Sequence, residues 1–143
     1  TAPLAAWPAA PPDFSARALL PEMMDDPGLD VATYAAVVAD LARVNSLTMA
    51  RPPTLAWLAR HSAGLERWSV LDVGFGQGDM LRAVAARPGP GARLVGIDLN
   101  PRSALAARAA TPPDMGIEWR TGLAEDIDFQ PDFIISSLVA HHM

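Results

Sequence analysis

Between Ser69 and Asn100 the chain sets two carboxylates and three glycines at spacings suited to holding a nucleoside. Val70-Leu71-Asp72-Val73 is a short apolar run with one acid inside it, and Gly74-Phe75-Gly76-Gln77-Gly78 follows directly. Helical spacing then appears at Met80, Leu81, Val84 and Ala85, and a second apolar run, Leu94 to Ile97, ends in Asp98. The pattern is strand, glycine turn, helix, strand, acid: one βαβ unit. Glycines lack Cβ atoms, so the turn can pass close to a ligand and adopt positive φ. The first amides of the following helix have no partner inside the helix and point at whatever sits there. Asp98 follows Gly78 by about 20 residues, the position that faces a ribose in a doubly wound sheet.

A nicotinamide or flavin site wants G-x-G-x-x-G, and its third glycine would fall at Asp79. What stands here is Asp72-x-Gly74-x-Gly76-x-Gly78, with an acid after the second strand. This resembles motif I of the class I S-adenosylmethionine-dependent methyltransferases. A carboxylate at Asp79 would repel a pyrophosphate but tolerates a sulfonium with an amino-acid tail. The resemblance implies S-adenosylmethionine or S-adenosylhomocysteine as cofactor. It also implies that Asp72 orients the ammonium of the tail and that Asp98 holds the ribose hydroxyls, with the glycines admitting the tail.

Those residues require a frame. The expected fold is α/β, a Rossmann-like doubly wound parallel sheet with strands in the order 3-2-1-4 and an N-terminal helical cap. Residues 1–64 form the arm and cap, and residues 65–143 the cofactor-binding half. Thr1 to Pro12 carries Pro3, Pro8, Pro11 and Pro12 and reads as an extended arm anchored by Trp7 and Phe14, with a short helix over Ser15 to Met24. Asp30 suits an N-cap for a helix from Val31 to about Asn45, with Val31, Tyr34, Val38, Leu41 and Val44 on one stripe. A second helix has Pro53 in its first turn, ends near His61, buries Leu55 and Leu58, and stops at Gly64. His61 reads as a helix-end cation near free carbonyls. This front resembles the cap that many small-molecule methyltransferases fold over the cofactor; a plain helical pair covering one sheet edge fits equally well.

Arg87-Pro88-Gly89-Pro90-Gly91 breaks the helix after the glycine turn. Asn100 caps a helix beginning at Pro101 that packs Leu105 and alanines. Gly116 to Arg120 is expected as the third strand and Asp132 to Leu138 as the fourth, a near-continuous apolar run suited to a buried parallel strand. Met80, Trp57, Trp68 and Trp119 read as core or pocket lining.

Beyond the glycines, Thr121 to Phe129 resembles the family's adenine-binding segment, where the Ala124 amide donates to the ring. The family's acid before that alanine is replaced by Leu123, so Glu125, Asp126 or a carbonyl must meet the adenine amino group. Ser136 to Met143 resembles the hydroxyl-rich strand end and paired histidines of ubiquinone- and menaquinone-type enzymes. His141 and His142 are weak candidates for a general base toward a hydroxyl acceptor. The positions the resemblance assigns to the cofactor are Asp72, Gly74, Phe75, Gly76, Gly78, Asp98, Leu99, Ala124, Glu125 and Ser137. The Asn-Pro-Pro-Tyr segment of base and amide N-methyltransferases does not occur, which favours a small-molecule acceptor.

Composition narrows the rest. The chain has 143 residues, half of them apolar, which suits one packed domain. It has no cysteine, so no disulfide or thiolate metal site, and its three histidines are too few and badly spaced for a metal. Every fixed cation is an arginine, and the net charge of −5 disfavours nonspecific nucleic-acid binding. No apolar run is long enough to span a bilayer, and Thr1 to Ala10 has no basic region of a signal peptide, so a cytoplasmic enzyme is expected. The family fold has seven strands and only four are legible, so the chain reads as a truncated enzyme. A homodimer completing the sheet and a cofactor-binding assembly module without catalysis are the alternatives.

Overall fold

The computed structural model describes residues 26, 28–87 and 91–137. The N-terminal arm, the helix expected over Ser15 to Met24, and His141 and His142 lie outside the described residues. Two helices come first, α1 (Val31–Leu47) and α2 (Arg51–His61), followed by β1 (Trp68–Val73), α3 (Asp79–Ala85) and β2 (Ala92–Asp98). Then come α4 (Pro101–Ala110), a 3-10 turn (Pro113–Met115), β3 (Ile117–Thr121), a second 3-10 turn (Ala124–Asp126) and β4 (Phe133–Ser136). The four strands form one parallel sheet in the order β3-β2-β1-β4, as the sequence predicts.

Local chemistry sets the helix ends. The Asp30 carboxylate accepts from the Ala32 and Thr33 amides at 3.0 Å each, giving α1 its N-cap. The Asn100 side chain accepts from the Arg102 amide at 3.0 Å ahead of Pro101, which suits a first helical position because its N–H is not needed. The His61 Nδ1 lies 2.8 Å from the Trp57 carbonyl in the last turn of α2, as expected of a helix-end histidine.

Alternation along the strands divides the core in two. Val70 and Leu94 face α2, α3 and α4, joined there by Leu58, Leu81, Val84, Ala107 and Trp119. Leu71, Val95 and Ile97 face the other side, against Ile127 and Phe129. Both faces of β1 and β2 are buried, so these strands read as continuous apolar runs. Burying each large aliphatic side chain contributes about 1.5–3 kcal/mol.

Several packing expectations are corrected. On α1 only Tyr34 and Val38 of the stripe are buried, with Ala106 of α4 beside them, while Val31, Leu41 and Val44 stay exposed. One helix of small residues covers only the middle of that stripe. The Tyr34 hydroxyl and Ser103 Oγ share a buried hydrogen bond of 2.6 Å across this contact. On α4 the inward residues are Ser103, Ala104, Ala106 and Ala107, and Leu105 points outward at 52% exposure, because small side chains allow the helix to lie close to the sheet. Trp57 is also exposed, stacked on His61. The fourth strand is shorter than expected and only half-covered, with Ile134 exposed, because β1 is its one strand neighbour among the described residues.

Candidate functional site

At the carboxyl ends of β1 and β2 a cleft of about 520 Å³ opens between the glycine turn, the Leu123–Ala124 segment and α1. Asp72, Gly74, Phe75, Gly76, Asp98, Leu99, Ala124 and Ser137 all line it. The βαβ unit, the segment after β3 and the end of β4 therefore converge on one place, as the resemblance implies. A second hollow of about 660 Å³ lies at the opposite ends of the strands, but its walls are mainly Leu55, Leu58, Val84 and Leu94, and its one titratable side chain, Arg87, donates to the Leu55 carbonyl.

The three glycines of the motif do different work. The Gly74 amide donates to the Ile97 carbonyl at 2.8 Å, tying the turn to β2, and Gly74 has φ +72°. Gly76 has φ +55°, and a Cβ added there would meet no atom within 4 Å, so its face is open to the cleft. Gly78 does not line the cleft. A Cβ there would sit 2.1 Å from the Trp119 ring, with φ +76°. Its small size therefore serves core packing and the start of α3, and of the three glycines it is the one that stands outside the cleft lining. Gly96 is bare for a similar reason, since a Cβ there would press on the Phe75 and Trp119 rings, which tilt together at 4.7 Å.

Asp98 turns toward the cleft and the glycine turn. Its Oδ2 accepts from the Gly76 amide at 3.0 Å, and its Oδ1 accepts from the Asn100 amide at 2.8 Å. A carboxylate has about four acceptor positions, so two remain for hydroxyl donors. The amides fix the carboxylate rather than exhaust it.

Asp72 is the opposite case. It is 3% exposed, lines the cleft, and accepts no hydrogen bond from any described residue. Burial first, and then the Asp79 and Asp98 carboxylates, push its pKa up to about 7. Asp79 also lines the cleft. Its Oδ2 is buried without a hydrogen-bond partner and faces the Arg51 Nε at 3.9 Å, an ion pair too long to be a hydrogen bond.

The adenine-side segment departs from expectation. Asp126 folds back so that its Oδ2 accepts from the Leu123 amide at 2.9 Å, which closes the turn. Glu125 is exposed and stands outside the cleft lining, so neither acid faces the hollow. Ala124 lines it, and as first residue of the 3-10 turn its N–H has no partner within that turn. Sequence reasoning missed the α1 wall: Tyr34, Val38, Leu41 and Asn45 all face the cleft. The signal was present in that stripe, which is wider than the small residues of α4 can cover.

The residues fit a nucleoside with a charged tail. The space beside Gly76 is open, one carboxylate is held ready by two amides, and another is buried without a donor. Fold and cleft together define a Rossmann-like α/β domain with a ligand crevice at the strand ends. The match to the methyltransferase domain family spans residues 70–143, and the chain belongs to that family. Its fold is shared with solved methyltransferases. The plantazolicin methyltransferase BamL, in complex with a triazolic desmethylPZN analog and SAH, is 21% identical with a TM-score of 0.52, covering 69% of this chain and 38% of its own. A putative S-adenosyl-L-methionine-dependent methyltransferase from Methanococcus maripaludis is 15% identical with a TM-score of 0.58, covering 87% of this chain and 55% of its own. Magnesium protoporphyrin IX methyltransferase (ChlM) from Synechocystis PCC 6803, with bound SAH, is 18% identical with a TM-score of 0.50, covering 80% and 49%. The chain thus spans 38% to 55% of the length of these structures. No curated protein matches it. The class I likeness read from the sequence agrees with these findings; the narrower likeness to ubiquinone- and menaquinone-type enzymes remains an expectation.

Proposed function

We propose that the protein containing this chain transfers a methyl group from S-adenosylmethionine to a small-molecule acceptor. The observation that carries this reading is the Asp98 carboxylate, held by two backbone amides beside the open face of Gly76. In this role Asp98 accepts hydrogen bonds from the ribose hydroxyls, and Asp72 meets the ammonium of the amino-acid tail. The Ala124 amide donates to the adenine, Leu99 and Phe75 lend apolar surface, and Ser137 stands at the strand end. Glu125 keeps no such role, because it stands outside the lining. The cofactor supplies an electrophilic methyl on a sulfonium; the protein positions the partners and excludes water, so proximity carries much of the rate. The helical front, residues 1–64, serves as a cap, with α1 as one wall of the cleft. His141 and His142 keep their place as candidate bases. No helix among the described residues is long and apolar enough to cross a membrane, and a cytoplasmic location fits this reading.

Calorimetric titration with S-adenosylhomocysteine tests it. Binding is expected, and Asp98→Ala should weaken it roughly 10- to 100-fold, the loss of charge-assisted hydrogen bonds. No heat from the folded protein, or undiminished affinity in the variant, counts against the assignment. Leu123, where the family carries an acid, supports a second reading, a domain that binds the cofactor without turnover. Binding with no methyl transfer by the complete protein to any acceptor tried would favour it.

A further inference from the structure

The hollow at the opposite ends of the strands differs from the cleft in sign as well as in place. Among the described residues, the cleft lining holds Asp72, Asp79 and Asp98 and no arginine or histidine. The hollow lining holds Arg87 and no acid. In a chain of net charge −5, a cation alone among apolar walls runs against the average. The volume, about 660 Å³, is that of a small-molecule site. Leu55, Leu58, Val84 and Leu94 form its floor, the outer surface of the core. Gly64 and Gly91 also line it, and a Cβ added at either would meet nothing within 4 Å, so the space there is open. Arg87 stands exposed two residues beyond α3, and its Nη1 donates to the Leu55 carbonyl at 3.1 Å, which lays the guanidinium against α2. No described carboxylate pairs with it. Of the five N–H donors of a guanidinium, four therefore remain, in a planar fork that matches a carboxylate.

We propose that this hollow is a second ligand site, separate from the cleft, for an amphipathic carboxylate. The apolar body of the ligand lies on Leu55, Leu58 and Val84, and its carboxylate takes the free donors of Arg87. A neutral apolar molecule would leave those donors to water, and a small inorganic anion would leave the floor uncovered. A ligand with both parts uses both features of the site. The absence of any acid in the described lining removes the repulsion that such a ligand would meet in the cleft. The proposal does not depend on methyl transfer, because none of these residues lines the cleft.

The test uses decanoate, below its micelle concentration, and 1-decanol, which keeps the chain and lacks the charge. Calorimetric Kd values are measured for wild type, Arg87→Gln and Ala59→Phe. Ala59 is an exposed residue of α2 that lines the hollow, so a ring there occupies the space without entering the core. Decanoate should bind wild type saturably and at least about tenfold more tightly than decanol. Arg87→Gln should weaken decanoate at least about tenfold and change decanol less than about twofold, while Ala59→Phe should weaken both at least about tenfold. Folding of each variant is verified by circular dichroism. No saturable binding of decanoate overturns the proposal, as does equal affinity of the two ligands in wild type. Binding that either variant leaves unchanged, or that S-adenosylhomocysteine displaces competitively, places decanoate elsewhere and overturns it too. A wild-type dimer that Ala59→Phe dissociates, with no decanoate bound, assigns the hollow to a second copy of the chain and overturns it as well.

Discussion

Asp98 and Asp72 end neighbouring strands and face one cleft, yet their surroundings are opposite. Asp98 sits where β2 runs out, partly exposed, with two backbone amides supplying hydrogen bonds. Asp72 sits one strand over, buried next to the bare Gly96 in the sheet, with no hydrogen-bond donor among the described residues. The same functional group is preorganised in one place and held under electrostatic strain in the other. The first stabilises the ligand-free fold; the second costs it free energy that a positive charge placed nearby would offset. One cleft can therefore contain one carboxylate that costs the fold little and one that costs it considerably more.

The largest expected effect separates these two. The folded-state pKa of Asp72, about 7, lies above the 3.8 of an ordinary aspartate, so the folded protein holds more protons than the unfolded chain between about pH 4 and pH 7. Stability from this group is fully present below that window, falls as pH rises through it, and is flat above. At 1.36 kcal/mol per pKa unit, the ligand-free fold gives up on the order of 4 kcal/mol by pH 8. Asp72→Asn should recover about 2–4 kcal/mol of it, a rise of several degrees in Tm at pH 8 that vanishes near pH 4. The variant should also bind S-adenosylhomocysteine less well. A Tm difference that does not depend on pH would mean that Asp72 is not strained.

The matching substitution at the other strand end should move stability the other way and by less. Asp98→Ala strands the amides of Gly76 and Asn100, which are partly exposed and can find water. The expected loss is about 1–2 kcal/mol at pH 7, read as a lower midpoint in urea with an unchanged slope. Should Asp98→Ala stabilise the ligand-free protein, the contrast between the two acids is false.

Much of this was legible before any coordinates. The strand order, the glycine turn, the acid at the end of β2 and the caps at Asp30 and Asn100 follow from spacing and residue type, because each depends on contacts within a few residues or on the fixed geometry of a βαβ unit. The misreadings needed tertiary knowledge. Leu105 was expected inside because it is the largest apolar residue of its helix, yet close approach to the sheet selects the alanines and Ser103. Gly78 reads from the sequence like Gly74 and Gly76, which line the cleft, while its own packing constraint is the Trp119 ring, which arrives from a strand 41 residues along the chain. Glu125 stands exposed outside the cleft lining, beside the turn that Asp126 closes on the Leu123 amide. The pairing of Arg51 with Asp79 joins two elements whose contact no local pattern encodes.

The glycines give the smallest and sharpest test of the same division between stability and readiness. Gly76 has positive φ, so an alanine there meets strain of roughly 1–2 kcal/mol, but its Cβ would touch nothing within 4 Å. Gly76→Ala should therefore fold and lose only about that much in urea denaturation. The methyl group would, however, project into the cleft beside Asp98, where the tail of the ligand is proposed to pass. Affinity for S-adenosylhomocysteine should drop by at least about tenfold, more than the stability change alone would suggest. Gly78→Ala is the control: the Trp119 ring must move, so the protein should lose several kcal/mol, with strain and overpacking adding. A Gly76→Ala protein that keeps full affinity would show that the open space beside the turn is not where the ligand lies, and the contrast between the two glycines would then concern packing alone.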